Sequence, residues 1–215
     1  MLRRGLYAIT HITSNSDCNK VAAQVAAAIA GGAVMIQYRD KISTPIVRRE
    51  FAQTLQSICA RHCVPLIIND DIELAAAVGA AGVHVGKSDA NIRVARARLG
   101  ASAIIGVSCY NDLARAAQAA DAGASYLAFG SFFPSRTKPD AVVAERELLS
   151  RARREFHLPL VAIGGITAAN ASALVTAGAD MVAVISDVFG ASDVRAAAQR
   201  LARVFTVTTQ QTGQQ

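Results

Sequence analysis

The stretch AGADMVAVIS, residues 177–186, contains the pattern that decides the fold of this chain. Gly178 ends an Ala-rich segment of helical periodicity, and a mostly apolar run follows from Met181. Glycine can end a helix by adopting a positive φ, and a short continuous apolar run is typical of a parallel strand buried on both faces. The stretch therefore predicts a helix, a glycine turn and a parallel strand.

The same order recurs along the chain, with Gly79, Gly100 and Gly123 each standing shortly before a strand-like run. The eight apolar or β-branched runs are LYAIT (6–10), VMIQYR (34–39), PLIIND (65–70), GVHVG (82–86), IIGVS (104–108), YLAFG (126–130), PLVAIGG (159–165) and MVAVIS (181–186). Eight strand and helix units in 215 residues predict an α/β protein with a closed (β/α)₈ TIM barrel. An open doubly wound sheet is the alternative, but no G-x-G-x-x-G motif follows LYAIT.

The composition favours one domain, since hydrophobic residues make up 52% of the chain and no Pro/Ser-rich linker interrupts them. We expect a single barrel domain over residues 1–205 and a disordered polar tail over residues 206–215. The longest apolar stretch, residues 21–36, is shorter than the roughly 20 apolar residues that cross a bilayer. No long apolar segment follows the basic amino terminus, so we expect no secretory signal, no membrane partner and a cytoplasmic protein.

The net charge of +6 indicates attraction to anions, either nucleic acids or phosphorylated metabolites. Many arginines lie at helical spacing in residues 93–98 and 146–154, where solvated helix faces explain them. Aromatic residues make up only 5% and Trp is absent, so bases would find few stacking platforms and we expect no nucleic-acid partner. The four cysteines follow no paired metal spacing and are expected to be reduced. The sequence leaves homo-oligomerisation open.

Polar residues follow the predicted strands, at the barrel end where active sites form. Strand two ends with Gln37, Arg39 and Lys41, which share one face if side chains alternate. Arg39 offers a planar fork of donors and Lys41 a point charge, a combination suited to a diphosphate. The alternative is a strand end whose charges extend into solvent.

Two aspartates follow neighbouring predicted strands and could hold one Mg²⁺. Asp70 follows strand three and Asp89 follows strand four. Magnesium is usually bound through one or two carboxylates plus water and phosphate oxygens. Helix capping is the alternative, and it explains Asp71 and Asp89 well. It explains Asn69 and Asp70 less well, because Asp71 already fills the capping position.

Backbone amides after strands seven and eight form a candidate phosphate site. Gly164 and Gly165 precede one helical segment, and Ile185 and Ser186 precede another. Barrels often bind phosphate at these two positions, although a tight turn also needs glycine.

The segment GSFFPSRTKPD, residues 130–140, follows strand six and lacks helical periodicity. It contains Ser135, Arg136, Thr137 and Lys138 between two prolines, so it could be a mobile cover over a phosphate or an ordinary loop. His84 lies inside a strand, where a hydrogen-bonded core histidine is the preferred interpretation. Cations, carboxylates and phosphate cradles favour departure of an anionic group over covalent catalysis.

In combination, these motifs resemble the thiamine-phosphate synthase family. The resemblance spans about residues 6–186 and consists of YAIT (7–10), IQYRDK (36–41), IINDD (67–71), GVHVGKSD (82–89), IIGVS (104–108), PSRTK (134–138), VAIGGI (161–166) and VAVIS (182–186). Two departures are Lys87, where the family usually has Gln, and Ser135, where it usually has Thr. An added cation beside Asp89 could weaken Mg²⁺ binding.

The resemblance implies that 4-amino-2-methyl-5-hydroxymethylpyrimidine diphosphate and 4-methyl-5-(2-phosphoethyl)thiazole, or its carboxylated form, combine to thiamine phosphate and diphosphate. It implies Mg²⁺ at Asp70 and Asp89. It implies catalytic roles for Arg39, Lys41, Ser108 and Lys138. The implied substrate-binding residues are Gln37, Tyr38, Arg39, Asp40, Lys41, Asn69, Ser108, Ser135, Arg136, Thr137, Lys138, Gly165, Ile185 and Ser186.

Three other functions stay open at this point. A thiazole tautomerase would share the barrel and the thiazole phosphate site, but it would not need the diphosphate and metal residues. A phosphosugar isomerase would need an acid/base pair that the motifs do not supply. A non-catalytic sensor of thiamine precursors would not need a complete set of leaving-group residues.

Overall fold

The computed structural model describes residues 2–86, 89–134 and 143–211, and for residues 89, 90 and 207–211 it describes the backbone alone. The strands are β1 (Gly5–Ile9), β2 (Ala33–Tyr38), β3 (Leu66–Asn69), β4 (Gly82–Val85), β5 (Ile104–Tyr110), β6 (Tyr126–Phe129), β7 (Leu160–Ile163) and β8 (Met181–Val184). The helices are α1 (Cys18–Ala30), α2 (Pro45–Arg61), α3 (Ile72–Val78), α4 (Asp89–Leu99), α5 (Leu113–Asp121), α6 (Glu147–Glu155), α7 (Ala171–Thr176), α8 (Ser186–Phe189) and α9 (Val194–Gln211).

The eight strands form a closed parallel barrel in sequence order. Closure is made by β1 and β8, where Leu6 pairs with Val182 and Ala8 pairs with Val184. Each predicted strand is present within two residues of its predicted bounds. The predicted (β/α)₈ barrel is therefore confirmed, and the open doubly wound sheet is excluded.

Glycines end helices as the repeated sequence pattern predicts. Gly79 follows α3 with φ 65°, and its N–H donates to the carbonyls of Ala75 and Ala76. Gly100, Gly123 and Gly178 also have positive φ. Because L-residues rarely adopt this conformation, the glycines fix where each helix stops and the next strand begins.

The core has two layers because side chains alternate along every strand. Leu6 and Ala8 of β1 face the helices, whereas Tyr7 and Ile9 face the barrel interior. The interior layer also contains Met35, Ile67, Tyr126, Ala128, Val161, Met181 and Ala183. This alternation directs polar residues near the strand ends toward the mouth of the barrel.

Two arginines that the sequence analysis assigned to solvated helix faces are in fact structural. Arg96 of α4 donates through its guanidinium to the carbonyls of Gly100, Ala101, Ala103 and Gly123, over 2.7 to 3.1 Å. Arg153 of α6 forms an ion pair with Asp180. These acceptors lie in the turns before β5, β6 and β8, which periodicity within one helix cannot indicate.

The last helix is longer than the sequence predicts. The expected polar tail starts at Thr206, but α9 continues to Gln211, and the Thr206 hydroxyl donates to the Arg203 carbonyl. A helix that is already formed adds one backbone hydrogen bond per further residue, which favours this continuation past Thr206. Residues 212–215 lie outside the described ranges. Among the described helices, none combines the length and apolarity needed to cross a membrane.

Candidate active site

The end of β2 supplies an amide to the barrel interior and a cation-bearing loop to its rim. Gln37 is buried, and its Nε2 donates to the Tyr7 hydroxyl over 2.6 Å. Two residues further on, the backbone N–H of Arg39 donates to Thr10 Oγ1 over 2.9 Å. Thr10 thus anchors the backbone of Arg39 at the end of the strand.

Asp40 organises the loop that follows β2. Its Oδ1 accepts hydrogen bonds from the backbone N–H groups of Ile42 and Ser43, and its Oδ2 accepts one from the Tyr38 hydroxyl over 2.9 Å. Burial raises the pKa of Asp40, but hydrogen bonds from Ser43, Ile42 and Tyr38 outweigh this effect, so the pKa lies below its usual value. The carboxylate therefore shapes the loop that carries Lys41.

Tyr38 lies outside the barrel interior. Its ring stacks on Phe51 of α2 with a centroid separation of 6.2 Å, in the layer between strands and helices. Burial and the hydrogen bond to Asp40 raise the pKa of Tyr38 above its usual value. Tyr38 and Asp40 are therefore hydrogen-bonded to each other.

Lys41 and Asp70 meet at the rim although they belong to different loops. Lys41 Nζ lies 3.7 Å from Asp70 Oδ2, and both side chains are more than half exposed. Asn69 Nδ2 donates to the same Asp70 oxygen over 2.7 Å. The predicted anion-binding loop and the predicted metal loop are therefore adjacent.

The backbone places Asp70 in an uncommon conformation. Asp70 has φ 62°, and its N–H donates to the His84 carbonyl of the neighbouring strand over 2.8 Å. Such conformations of non-glycine residues persist where the surrounding contacts hold them, and they cluster at functional sites. Asp71 caps α3 by accepting from Leu74 N–H, so the cap does not account for Asp70.

A chain of buried hydrogen bonds crosses the barrel below the rim. Gln37 is joined to Tyr7, the Tyr7 hydroxyl lies 2.9 Å from that of Tyr126, and the Tyr126 hydroxyl lies 2.9 Å from His84 Nδ1. His84 Nε2 lies 2.9 Å from Ser108 Oγ. Burial raises the pKa of both tyrosines well above the usual value, so both hydroxyls keep their hydrogens.

His84 is hydrogen-bonded through both ring nitrogens, as the sequence analysis expects of a core histidine. One of its partners, Ser108, is nevertheless a predicted site residue. Tyr7 and Tyr126 are not recognisable as site residues from the neighbouring sequence, because both lie within apolar runs. Both tyrosines stand at strand positions whose side chains point into the barrel, and this position is the signal that could have identified them.

Arg115 of α5 is a further residue whose role cannot be recognised from the sequence. Its Nε donates to the Ser108 carbonyl and its Nη2 donates to the Gly86 carbonyl, each over 2.8 Å. Arg115 therefore joins the ends of β4 and β5 and holds the backbone of Ser108. No local pattern distinguishes it from a surface arginine.

The ends of β7 and β8 form the predicted glycine-rich corner. Gly164 and Gly165 have φ 102° and 58°, and Ser186 begins the short helix α8 next to Ile185. A Cβ on Gly165 would lie 2.4 Å from the Pro134 carbonyl oxygen, so this turn packs directly against the loop after β6.

Two side chains hold this corner together. Asn170 Nδ2 donates to the Gly165 carbonyl over 3.1 Å. Asp187 Oδ2 accepts from the Ala168 N–H over 3.1 Å, which links the turn after β7 to α8. The turn after β7 and the helix that follows β8 are therefore tied together.

Several predicted residues lie outside the described part of the chain, namely Ser135, Arg136, Thr137, Lys138 and Lys87. Asp89 is the first residue of α4, but its side chain is not described. Within the described residues, no group of three or more His, Cys, Asp or Glu side chains could hold a metal ion.

A closed (β/α)₈ barrel with cations, a carboxylate and glycine turns at the carboxyl ends of its strands is typical of enzymes that bind phosphorylated ligands at this rim. Comparison with known proteins identifies the family. The family model described as thiamine monophosphate synthase matches residues 6–188. The chain belongs to the thiamine monophosphate synthase family, and it is a transferase of thiamine biosynthesis.

Individual relatives agree with this assignment over nearly the whole chain. Thiamine-phosphate synthase of Thiobacillus denitrificans is 54% identical over 203 residues, covering 94% of each chain. The Nitrosococcus oceani protein of the same name is 54% identical, covering 91% of this chain and 89% of its own. The solved thiamine phosphate pyrophosphorylase from Pyrococcus furiosus superposes with a TM-score of 0.84 at 35% identity, covering 96% of both chains.

Proposed function

We propose that this protein joins 4-amino-2-methyl-5-hydroxymethylpyrimidine diphosphate to 4-methyl-5-(2-phosphoethyl)thiazole, releasing thiamine phosphate and diphosphate. With the carboxylated form of the thiazole, CO₂ is released as well. Two observations support this proposal: the chain belongs to this family, and Lys41 lies in contact with Asp70. This contact brings a cation suited to the leaving group beside a carboxylate suited to a metal ion.

The pyrimidine diphosphate would bind across the ends of β2, β3 and β5. Arg39 and Lys41 would bind diphosphate oxygens by charge-assisted hydrogen bonds, and Asn69 and Ser108 would complete the polar wall. Gln37 would contribute from below through its buried amide. Tyr38 and Asp40 would act by shaping the loop that presents Lys41. Lys138 would join from the loop after β6.

Asp70 suits a hard cation such as Mg²⁺. Its carboxylate is more than half exposed at the rim, and Asn69 Nδ2 and Lys41 both contact Oδ2, so Oδ1 is the oxygen that would bind the metal ion. Asp89 would be the second carboxylate. One or two protein carboxylates are the usual number for a magnesium ion that also binds substrate phosphates. When bound, Mg²⁺ would neutralise negative charge on the diphosphate.

The thiazole phosphate would bind at the corner formed by the ends of β7 and β8. Gly165, Ile185 and Ser186 would present backbone amides, and the links through Asn170 and Asp187 support a fixed arrangement. Ser135, Arg136 and Thr137 would add hydroxyls and a cation from the loop after β6. Its contact with Gly165 at Pro134 supports this assignment.

The side chains at the rim suit a reaction in which the leaving group departs first. The bond between the pyrimidine methylene carbon and the diphosphate oxygen breaks, and its electron pair stays with the diphosphate. Arg39, Lys41, Ser108 and Lys138 stabilise the negative charge that develops on this oxygen. The thiazole nitrogen then donates its lone pair to the methylene cation, and no proton needs to be removed.

Incubation of the purified protein with both substrates and Mg²⁺ tests the proposal directly. We expect thiamine phosphate and diphosphate in equal amounts, and no product when a chelator removes the metal. Omitting each substrate in turn provides the control. Absence of product from substrates that a known synthase converts would refute the proposed reaction.

A further inference from the structure

We infer that the series of hydrogen bonds that links Gln37, Tyr7, Tyr126, His84 and Ser108 is a relay in which every donor points the same way, from Gln37 toward Ser108. This direction holds His84 neutral with its hydrogen on Nε2. It also leaves the Ser108 hydrogen available to a ligand. In this arrangement Tyr7, Tyr126 and His84 are positioning residues. They act through Ser108 without needing to touch the substrate. No proton is transferred along the chain.

The direction follows from counting donors, beginning at Gln37. Its Nε2 donates to the Tyr7 oxygen over 2.6 Å, so Tyr7 must place its own hydrogen elsewhere. The Tyr126 oxygen, 2.9 Å away, is the acceptor. Tyr126 then donates to His84 Nδ1, which must carry no hydrogen, and the neutral ring carries it on Nε2. Nε2 donates to Ser108 Oγ.

The opposite direction leaves one buried donor without an acceptor. If His84 Nδ1 donated to Tyr126, then Tyr126 would donate to Tyr7, which already accepts from Gln37. The Tyr7 hydrogen could then go to neither of the two groups bonded to its hydroxyl in the described part of the chain. A buried hydroxyl without an acceptor destabilises the fold, because it loses the hydrogen bond that it made to water. A doubly protonated His84 would create the same conflict.

The rings are packed so that these contacts persist. The Tyr7 and Tyr126 rings meet edge to face with centroids 5.9 Å apart, and the His84 ring stacks on Tyr126 at 5.7 Å. Gly106 makes room for this arrangement, because a Cβ there would lie 1.9 Å from the Tyr126 ring. Tyr7 and Tyr126 are at most 1% exposed, so water does not compete for their hydroxyls.

The consequence for Ser108 rests on the proposed function. Its oxygen accepts from His84 Nε2, and its backbone carbonyl is held by Arg115. Within residues 2–86, 89–134 and 143–206, no group accepts the single hydrogen of Ser108, so it is left for a ligand acceptor such as a diphosphate oxygen or an unprotonated ring nitrogen. A serine that donated to His84 would have no hydrogen for such a ligand.

Nitrogen NMR of the ¹⁵N-labelled full-length protein measures the direction without any assay of activity. Protonated and bare imidazole nitrogens resonate far apart, and the His84→Gln variant assigns the signals of His84 among the four histidines. We expect a bare Nδ1 and a protonated Nε2. A hydrogen on Nδ1 in the unmodified protein would overturn the inference, whether or not the protein makes thiamine phosphate.

Two variants test what sets the direction. Gln37→Glu, at a pH where the carboxylate is ionised, replaces the donor to Tyr7 with an acceptor, so the opposite direction no longer leaves a donor unpaired and both His84 tautomers should become populated. Tyr126→Phe removes the donor to Nδ1, so both tautomers should become populated. Tyr38→Phe, which lies outside the relay, should leave the His84 signals unchanged. Unaltered His84 signals in a folded Gln37→Glu or Tyr126→Phe protein would refute the relay.

A double-mutant cycle connects the relay to turnover. We expect Tyr126→Phe to lower kcat/KM by about tenfold, the order of one hydrogen bond made to a charged ligand. Combined with Ser108→Ala, it should lower kcat/KM no further than Ser108→Ala alone, because both changes remove the same donor. Additive losses would show that Tyr126 does not act through Ser108.

Discussion

Lys41 Nζ lies 3.7 Å from Asp70 Oδ2, which joins the loop after β2 to the loop after β3 at the mouth of the barrel. Both side chains are more than half exposed, so this ion pair contributes little to the stability of the fold. Its place beside the strand ends instead suits a polar ligand that would bind both charges.

Replacement of Lys41 should affect turnover much more than stability. We expect Lys41→Ala to lower kcat by about 100-fold, because one donor to a developing negative charge is lost. Steady-state kinetics measure this loss, and denaturant unfolding should show a change of less than about 1 kcal/mol. The exposed Lys20 of α1 provides the matched control, since Lys20→Ala should retain full activity. A Lys41→Ala enzyme with unchanged kcat would remove Lys41 from the mechanism.

Replacement of Asp70 should change the magnesium requirement. We expect Asp70→Asn to raise the Mg²⁺ concentration needed for half-maximal activity by at least about tenfold, because Mg²⁺ favours carboxylate ligands. The neighbouring Asp71→Asn is the control, since asparagine caps a helix as well as aspartate does. If both variants respond to Mg²⁺ alike, Asp70 is not a ligand.

Gly165 should be required for the shape of the phosphate corner. Its φ of 58° disfavours a side chain, and an added Cβ would lie 2.4 Å from the Pro134 oxygen and 2.7 Å from the Phe133 oxygen. We expect Gly165→Val to weaken binding of the thiazole phosphate by at least about tenfold, measured by calorimetric titration. Gly100→Ala is the control, because Gly100 also has a positive φ but an added Cβ there would meet no atom within 4 Å. This variant should bind the thiazole phosphate as tightly as the unmodified protein does. Equal affinity in Gly165→Val would contradict the placement.

Asp40 should make the free energy of unfolding depend on pH. Because its pKa is lower in the folded chain than in the unfolded chain, its contribution is complete above about pH 4 and is lost as the pH falls through the folded value. We therefore expect Asp40→Asn to reduce the free energy of unfolding at pH 7, and to reduce it by less at pH 3. Denaturant titrations at both pH values measure the difference. Asp121→Asn, at the exposed end of α5, provides the comparison.

Arg96 should stabilise the amino-terminal side of the barrel. Its guanidinium bonds four carbonyls in the turns before β5 and β6. We expect Arg96→Met to lower the free energy of unfolding by about 3 kcal/mol, since several hydrogen bonds to a charged group are lost at once. Arg93→Met on the exposed side of α4 should change it by less than about 0.5 kcal/mol. Similar values for the two variants would refute the structural role of Arg96.

The position of the rim could be predicted because it depends on local features. Apolar runs and terminal glycines define where strands start and stop, and a parallel barrel gathers all carboxyl ends on one face. Lys41, Asn69 and Asp70 were therefore found from their distance to a strand end. The family resemblance also implies Tyr38 as a substrate-binding residue, but its ring faces α2, since odd and even strand residues point in opposite directions.

The sequence by itself determined the eight-unit barrel and the residues at its mouth, because hydrophobic periodicity, glycine turns and strand polarity act over a few residues. Only the tertiary structure decided that Tyr7 meets Tyr126, 119 residues away, and that His84 lies between Tyr126 and Ser108. The physical reason is the closure of the barrel. Whether a side chain points inward is a local property of its strand. Which side chain it meets across the barrel depends on the register of all eight strands, which is fixed when the first strand pairs with the last.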